Sequence, residues 1–208
     1  MTTTILRGLV GSHAYGLATE TSDRDFLAVH QAPTAEVLGL HGAKITECTV
    51  VSHGPDCQSH ALAKSCRLAL AGNPTILELL WLPMDHYDVL TDAGRALLVN
   101  RRAFLSNQVR ATYGGYARQQ AHKIVRRGGT FSSDLAKRTG KHGRHCARLL
   151  LQGGHLLRTG EVLIRLDDEQ ASWCWEMGEL AITLPGEFKA HIADAFAEFD
   201  STPSALPD

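Results

Sequence analysis

The sequence predicts an α/β domain over residues 1–100, built on a small sheet, followed by an all-helical domain over residues 101–208. Three observations predict it. Short β-favouring runs at residues 2–10 and 44–51 are separated by glycine- and proline-marked turns and by brief apolar helical segments, the pattern of a sheet covered by helices. Residues 104–125 and 134–157 instead carry two long helical patterns with a glycine-rich breaker between them. Charge changes as well, for Asp134 is the lone acid between Arg95 and Arg148, whereas the segment from Glu161 onward is acidic.

Taken in order, Thr2 to Val10 is rich in Thr, Ile, Leu and Val and reads as a strand, with Gly8 just ahead of the turn that follows. Gly11-Ser12-His13-Ala14-Tyr15-Gly16 is that turn and the start of a short helix. Ser22-Asp23-Arg24-Asp25 then enters Phe26-Leu27-Ala28-Val29, a second extended run. Residues 33–42 read as a surface connection, with Pro33 able to open a helical turn. Residues 44–51 alternate polar and β-favouring side chains and predict a further strand, broken by Gly54-Pro55. Residues 59–70 place Ala61, Leu62, Cys66, Ala69 and Leu70 near helical spacing, so a helix with one face on the sheet is expected. Gly72-Asn73-Pro74 stops it, and residues 75–81 restart as a short buried helix. Residues 90–98 form another, capped by Thr91 or Asp92.

In the second half the two long helices are divided at Arg126-Arg127-Gly128-Gly129-Thr130, and Gly153-Gly154 predicts a bend or break in the latter. Smaller helices are expected at 173–182 and 187–199 around Pro185-Gly186. The tail from residue 201, with two prolines, reads as frayed. Tyr113 and Tyr116 are expected to pack as core aromatics.

Composition narrows the function classes. With 208 residues and 44% of them hydrophobic, the chain can bury one large core or two modest ones, so a disordered protein is excluded. A net charge of -1 excludes a chain that binds nucleic acid by bulk positive charge. There is no bilayer-length apolar run and no signal-peptide pattern, so a cytoplasmic protein without membrane association is expected. Cys48, Cys57, Cys66, Cys146 and Cys174 are odd in number and scattered, which favours reduced thiols over a disulfide framework. Eleven histidines occur without zinc-type spacing.

The chemistry concentrates between residues 11 and 25. Glycines let the backbone approach a bound group, and the N–H groups of a following helix can hold a phosphate, to which the Ser12 hydroxyl would add a donor. Asp23 and Asp25 are one residue apart, so on a strand both side chains leave the same face and could share metal ions. Carboxylate oxygens suit Mg2+, which also takes phosphate oxygens. Lys141 and Arg148 are seven apart on a helical pattern with His145 between them, one basic face. Glu78, inside an apolar helix, needs a partner, and an ion pair with Lys64, Arg67 or Arg101 is expected.

Strand, Gly-Ser turn, helix and Asp-x-Asp strand in this order resemble the DNA polymerase β-like nucleotidyltransferase superfamily. More narrowly, Gly11 to Ala18 with Ser22-Asp23-Arg24-Asp25 is similar to predicted nucleotidyltransferases associated with RNA ligases and RNA repair. Gly72-Asn73-Pro74-Thr75-Ile76-Leu77-Glu78-Leu79-Leu80-Trp81, Lys141-His142 through Arg148-Leu149-Leu150, and Leu157-Arg158-Thr159-Gly160-Glu161 agree with that family, so the likeness runs from about residue 5 to about residue 166.

The resemblance implies an α/β nucleotidyltransferase domain with a small mixed sheet, a C-terminal helical domain, and a two-metal transfer of a nucleoside monophosphate from an NTP to an acceptor hydroxyl. Mg2+ or Mn2+ would be held by Asp23, Asp25 and a third carboxylate. Asp56 is the first choice for the third, being an acid leading into the segment around Lys64, and Glu47 is the runner-up. Gly11, Ser12 and Tyr15, with Lys141, His142 and Arg148, would bind the nucleotide. An RNA 3′ end is the expected acceptor, with an RNA ligase as a possible companion. The alternatives are nucleotidylation of a protein side chain or small molecule, as in antitoxin-like minimal nucleotidyltransferases, and a non-catalytic nucleotide- or RNA-binding module.

Overall fold

The computed structural model describes residues 2–40, 44, 48–52, 56–125 and 133–208. The chain divides into two compact units, Met1–Leu105 and Ser106–Asp208.

In the first unit the strands are β1 (Thr3–Val10), β2 (Asp25–Gln31), β3 (Thr49–Ser52), β4 (Cys57–Ala61) and β5 (Tyr87–Leu90). They form one mixed sheet in the order β3-β4-β2-β1-β5. Only β2 and β4 run parallel, with Phe26 opposite Cys57 and Val29 opposite His60. β1 pairs antiparallel with β2 and β5, and β3 with β4. The helices are α1 (Ser12–Tyr15), α2 (Thr34–Val37), α3 (Leu62–Leu70), α4 (Pro74–Trp81) and α5 (Asp92–Val99). Register puts Leu6, Leu27 and Val29 on one face of the sheet, and all three are buried, as are Ile76, Leu77, Leu79 and Leu80 of α4. These side chains make the core, since apolar area removed from water is the dominant favourable term. α4 begins where the sequence places it, because Asn73 accepts the N–H groups of Thr75 and Ile76 through its side chain and Pro74 needs no partner at the first position. α5 is capped by Thr91.

Three expectations are corrected here. Residues 59–61 are strand, not helix: Cys57-Gln58-Ser59-His60-Ala61 has weak β-propensity, yet lying between β2 and β3 satisfies its backbone on both sides. β5 was not anticipated at all. Strand β3 starts at Thr49, Lys44 is helical, and residues 45–47 lie outside the described residues.

The second unit contains α6 (Gln108–Val125), α7 (Ser133–Thr159), α8 (Asp168–Thr183) and α9 (Pro185–Ser201). The breaker at residues 126–130 lies outside the described residues. Helix α7 runs unbroken through Gly153-Gly154, and the reason is packing. A Cβ on Gly153 would stand 2.8 Å from Phe199 Cε2 and 2.9 Å from Tyr113 Cβ, so glycine permits a close approach there rather than a bend. The tail is also anchored: Thr202 is buried, the Ala205 N–H donates to the Leu157 carbonyl at 2.7 Å, and the Pro207 carbonyl accepts from the Asn107 N–H at 2.6 Å. Tyr113 is buried, whereas Tyr116 is exposed. All five cysteines are free thiols, and burial pushes those of Cys146 and Cys174 up to about 12. Among the described residues no helix is long and apolar enough to cross a membrane.

Candidate active site

β1 ends at Val10, and Gly11 turns the chain with φ 76° and ψ -148° before the four-residue helix α1. A positive φ of this kind strongly favours glycine, and a Cβ here would also come within 3.2 Å of Asp25 Oδ2. The turn therefore sits directly against the carboxylate that opens β2. Helix α1 ends at Gly16, which is left-handed at φ 80°, so both glycines of the motif are used by the backbone.

The turn is held from below by Glu78. Its Oε1 accepts the Gly11 N–H at 2.6 Å and its Oε2 accepts the Tyr15 hydroxyl, while the residue as a whole is only 4% exposed. Glu78 thus carries two hydrogen-bonding partners that the sequence did not name. Lys64 instead donates to Thr49 Oγ1 at 2.6 Å, and Arg101 donates to the Leu80 carbonyl and lies over the Trp81 ring. A buried carboxylate is stabilised by charge-assisted bonds from donors fixed in place, which makes the turn rigid.

Asp25 and Asp56 are brought together by the parallel pair. The Phe26 N–H donates to the Asp56 carbonyl at 2.9 Å, and Phe26 faces Cys57, so the two aspartates occupy corresponding positions just ahead of the matched residues. Neighbouring strands lie about 4.8 Å apart, which puts the two backbones in adjacent lanes. Asp56 is a turn residue at the entrance to β4. A cavity of about 460 Å³ opens here, and Gly11, Tyr15, Asp25, Asp56, Gln58 and Glu78 are among its lining residues.

Asp23 is placed differently from the expectation of one strand carrying both acids. β2 begins at Asp25, so Asp23 is an exposed residue of the approach and does not share a strand face with Asp25. That approach is nonetheless ordered: Ser22 Oγ accepts the Thr19 N–H at 2.8 Å, and the Ser22 carbonyl accepts from His13 Nε2 at 3.3 Å. His13, which sequence reasoning passed over, thereby ties α1 to the aspartate segment. Ser12 opens α1 and is half-buried. Among the described residues no three His, Cys, Asp or Glu side chains cluster closely enough to hold a metal by themselves. Glu47 lies outside the described residues.

The remaining candidates belong to the helical unit. Lys141 is exposed, His142 Nδ1 meets Gln120 Oε1 at 2.8 Å, and Arg148 is buried, donating to Gln152 Oε1 at 2.5 Å.

The residues missed by sequence reasoning are Gln58, Thr75 and the anchoring role of Glu78. Glu78 was signalled by a lone acid in an apolar helix, but its partner lies 67 residues away in the chain and no local pattern names it. Gln58 carried no signal, because residues 59–61 of its strand read as the start of a helix and Gln58 itself has no β-favouring side chain.

Comparison with known proteins gives three findings. The family described as the RNA repair pathway DNA polymerase beta family matches residues 2–181. An uncharacterised 38.9 kDa protein of the nrdC-mobD intergenic region of Enterobacteria phage T4 is 30% identical over 129 residues, covering 58% of this chain. The match spans 38% of the length of that phage protein. Among solved structures, a nucleotidyltransferase-like protein from Exiguobacterium sibiricum 255-15 aligns with a TM-score of 0.37 and 12% identity, covering 96% of this chain and 67% of the other.

Proposed function

The chain belongs to the RNA repair pathway DNA polymerase beta family, and from that premise we propose that it transfers a nucleoside monophosphate from an NTP to the 3′ hydroxyl of an RNA. The observation that carries this reading is the pairing of Asp25 with Asp56 across β2 and β4, beneath the Gly11 turn.

The donor set fits a hard divalent cation. Asp25 and Asp56 bring carboxylate oxygens into one cavity, and an acidic cavity accepts a polyanionic nucleotide only through cations shared by both. Asp25 and Asp56, completed by phosphate oxygens of the nucleotide, would hold Mg2+ or Mn2+, which when bound neutralises charge developing on the α-phosphate.

The chain's own groups do the rest. The glycine turn lets phosphate oxygens approach backbone, with Ser12 as a hydroxyl donor. Glu78 and Tyr15 hold that turn in one geometry, so no ordering remains to be done when substrate arrives. Asp56, beside Asp25, is the group to take the proton of the attacking hydroxyl. His13 keeps the Asp23 segment against α1. The acceptor is assigned as RNA from the family's RNA repair context and from the basic stretch between Arg95 and Arg148, with an RNA ligase the natural companion of an enzyme that completes RNA ends.

Incubation with α-labelled NTPs, Mg2+ and either tRNA or a protein extract tests the proposal. Label on RNA that disappears with EDTA and with the Asp23→Asn/Asp25→Asn double change is expected. Label confined to protein would move the reading to protein nucleotidylation, and transfer surviving the double change would remove the assigned site.

A further inference from the structure

The cavity beneath the Gly11 turn carries a carboxamide and a hydroxyl, those of Gln58 and Thr75, that the transfer chemistry leaves unassigned. Register places the first. Leu27 lies opposite Gln58 in the parallel pair of β2 and β4, and Asp25 is two residues before Leu27, so Asp25, Leu27 and Gln58 leave the same face of the sheet. Leu27 is covered there, at 1% exposure, whereas Gln58 is exposed and lines the cavity. Thr75 comes from the first turn of α4, three residues before Glu78, and that spacing puts both on the helix face that borders the same cavity.

Other polar groups of the cavity are already engaged. Glu78 is bound to the Gly11 N–H and the Tyr15 hydroxyl, and Asp25 and Asp56 bring the negative charge that a cation would meet. The side chains of Gln58 and Thr75, by contrast, make no hydrogen bond to any of the described residues.

Their chemistry and position together define what they can meet. A carboxamide offers donors and an acceptor without charge, and a hydroxyl likewise both donates and accepts. That combination complements a hydroxyl better than a phosphate, whose oxygens only accept and are held more strongly by cations and backbone N–H groups. Gln58 is two residues past Asp56 along the chain, about 6.6 Å at the rise of a strand. With a phosphate at the acids, the next part of a nucleotide along that path is its sugar, and the base comes only after it. Val51, opposite Gln58 on β3 and exposed, adds apolar surface for the sugar ring.

Resting on the transfer reading of this site, we propose that Gln58, helped by Thr75, hydrogen-bonds the 2′ hydroxyl of a ribose next to the phosphate held at the acids. Gln58 is then the position that selects ribonucleotides over deoxyribonucleotides. The ribose belongs either to the incoming NTP or to the terminal residue of the acceptor RNA, whose 2′ hydroxyl adjoins the attacking 3′ hydroxyl. An analogue lacking that hydroxyl leaves the Gln58 amide unpaired beneath bound substrate, a loss that separates substrates better than a missing methylene does.

The test compares wild type with Gln58→Leu, which keeps the side chain close in size and removes its hydrogen bonds. Single-turnover transfer with Mg2+ is measured for each NTP against its 2′-deoxy counterpart, and for an acceptor RNA ending in ribose against one ending in 2′-deoxyribose. Calorimetric binding of the same ligands, with non-hydrolysable NTPs and Mn2+, reads the preference without chemistry. Gln58 is exposed, so the variant keeps its fold, which circular dichroism checks. Wild type is expected to prefer ribose, and Gln58→Leu should lower that preference about tenfold, the worth of about one hydrogen bond, with the loss falling on the ribose substrate. Thr75→Val should lower it less. A preference found in the NTP comparison assigns the sugar to the nucleotide, and one found in the acceptor comparison assigns it to the RNA end. Ribose-selective binding that depends on Gln58 without any transfer would keep this site and remove the transfer reading, whereas transfer abolished by Asp25→Asn but blind to the 2′ hydroxyl would do the reverse. Equal losses for ribose and deoxyribose substrates in Gln58→Leu, or no ribose preference in either comparison, overturn the proposal.

Discussion

The two units use charge in opposite ways. In the sheet unit, acids converge: Asp25, Asp56 and Glu78 line one cavity, and Glu78 is made tolerable by donors from the turn above it. In the helical unit, basic residues crowd the stretch before Arg148, yet many are consumed in holding helices together, as Arg110 and Arg118 are by the C-terminal end of α9. The contrast teaches that a basic composition is not in itself a binding surface. What matters is which cations remain after the internal carbonyls and carboxylates have taken theirs.

The largest effects are expected at the acids. Asp25→Asn or Asp56→Asn should lower single-turnover transfer by about 10²–10³, the scale on which one preorganised electrostatic group acts in an active site. Folding should be unchanged, since neither side chain is part of the apolar core.

Next comes the support beneath the turn. Glu78→Ala leaves the Gly11 N–H without its acceptor and should cost about 1–3 kcal/mol in denaturant unfolding. Glu78→Gln should cost less, because the amide oxygen still accepts from Gly11 while its NH2 donates to a reoriented Tyr15 hydroxyl. Equal losses in the two variants would show that the negative charge itself, not the hydrogen bonding, is what the turn requires.

In the helical unit, Gly153→Ala should cost about 1–3 kcal/mol, since a Cβ at 2.8 Å from Phe199 forces the helices apart. His145 gives a pH test. Its folded-state pKa is depressed, so the unfolded chain binds a proton that the folded chain does not, and stability present above the unfolded value of about 6.5 is lost as pH falls below it. His145→Gln should flatten that acid limb. The smallest effect belongs to Arg118→Ala/Asp200→Ala, an exposed pair whose coupling should be under about 1 kcal/mol in a double-mutant cycle.

Much of this was legible in the sequence where the signal was local. Strand β1, the glycine turn, the Asn73-Pro74 start of α4 and the Thr91 cap each follow from residues within a few positions of one another. Strand β4 was not, because Cys57-Gln58-Ser59-His60-Ala61 has no β-branched residue and is strand only by virtue of its neighbours. Asp56 was named through family resemblance, while its place beside Asp25 depends on the parallel register, which sequence periodicity does not carry. The same holds for Glu78, whose role depends on a contact between distant segments, and for Arg148, read as a cation on an accessible face and found buried.

The proposed metal and nucleotide centre is the pair Asp25 and Asp56. It is tested most directly by a crystal soaked with Mn2+ and a non-hydrolysable NTP, with the metal located by anomalous scattering. Mn2+ is expected between the Asp25 and Asp56 carboxylates, with the nucleotide phosphates beneath the Gly11 turn. Mn2+ and nucleotide bound away from both aspartates would contradict it.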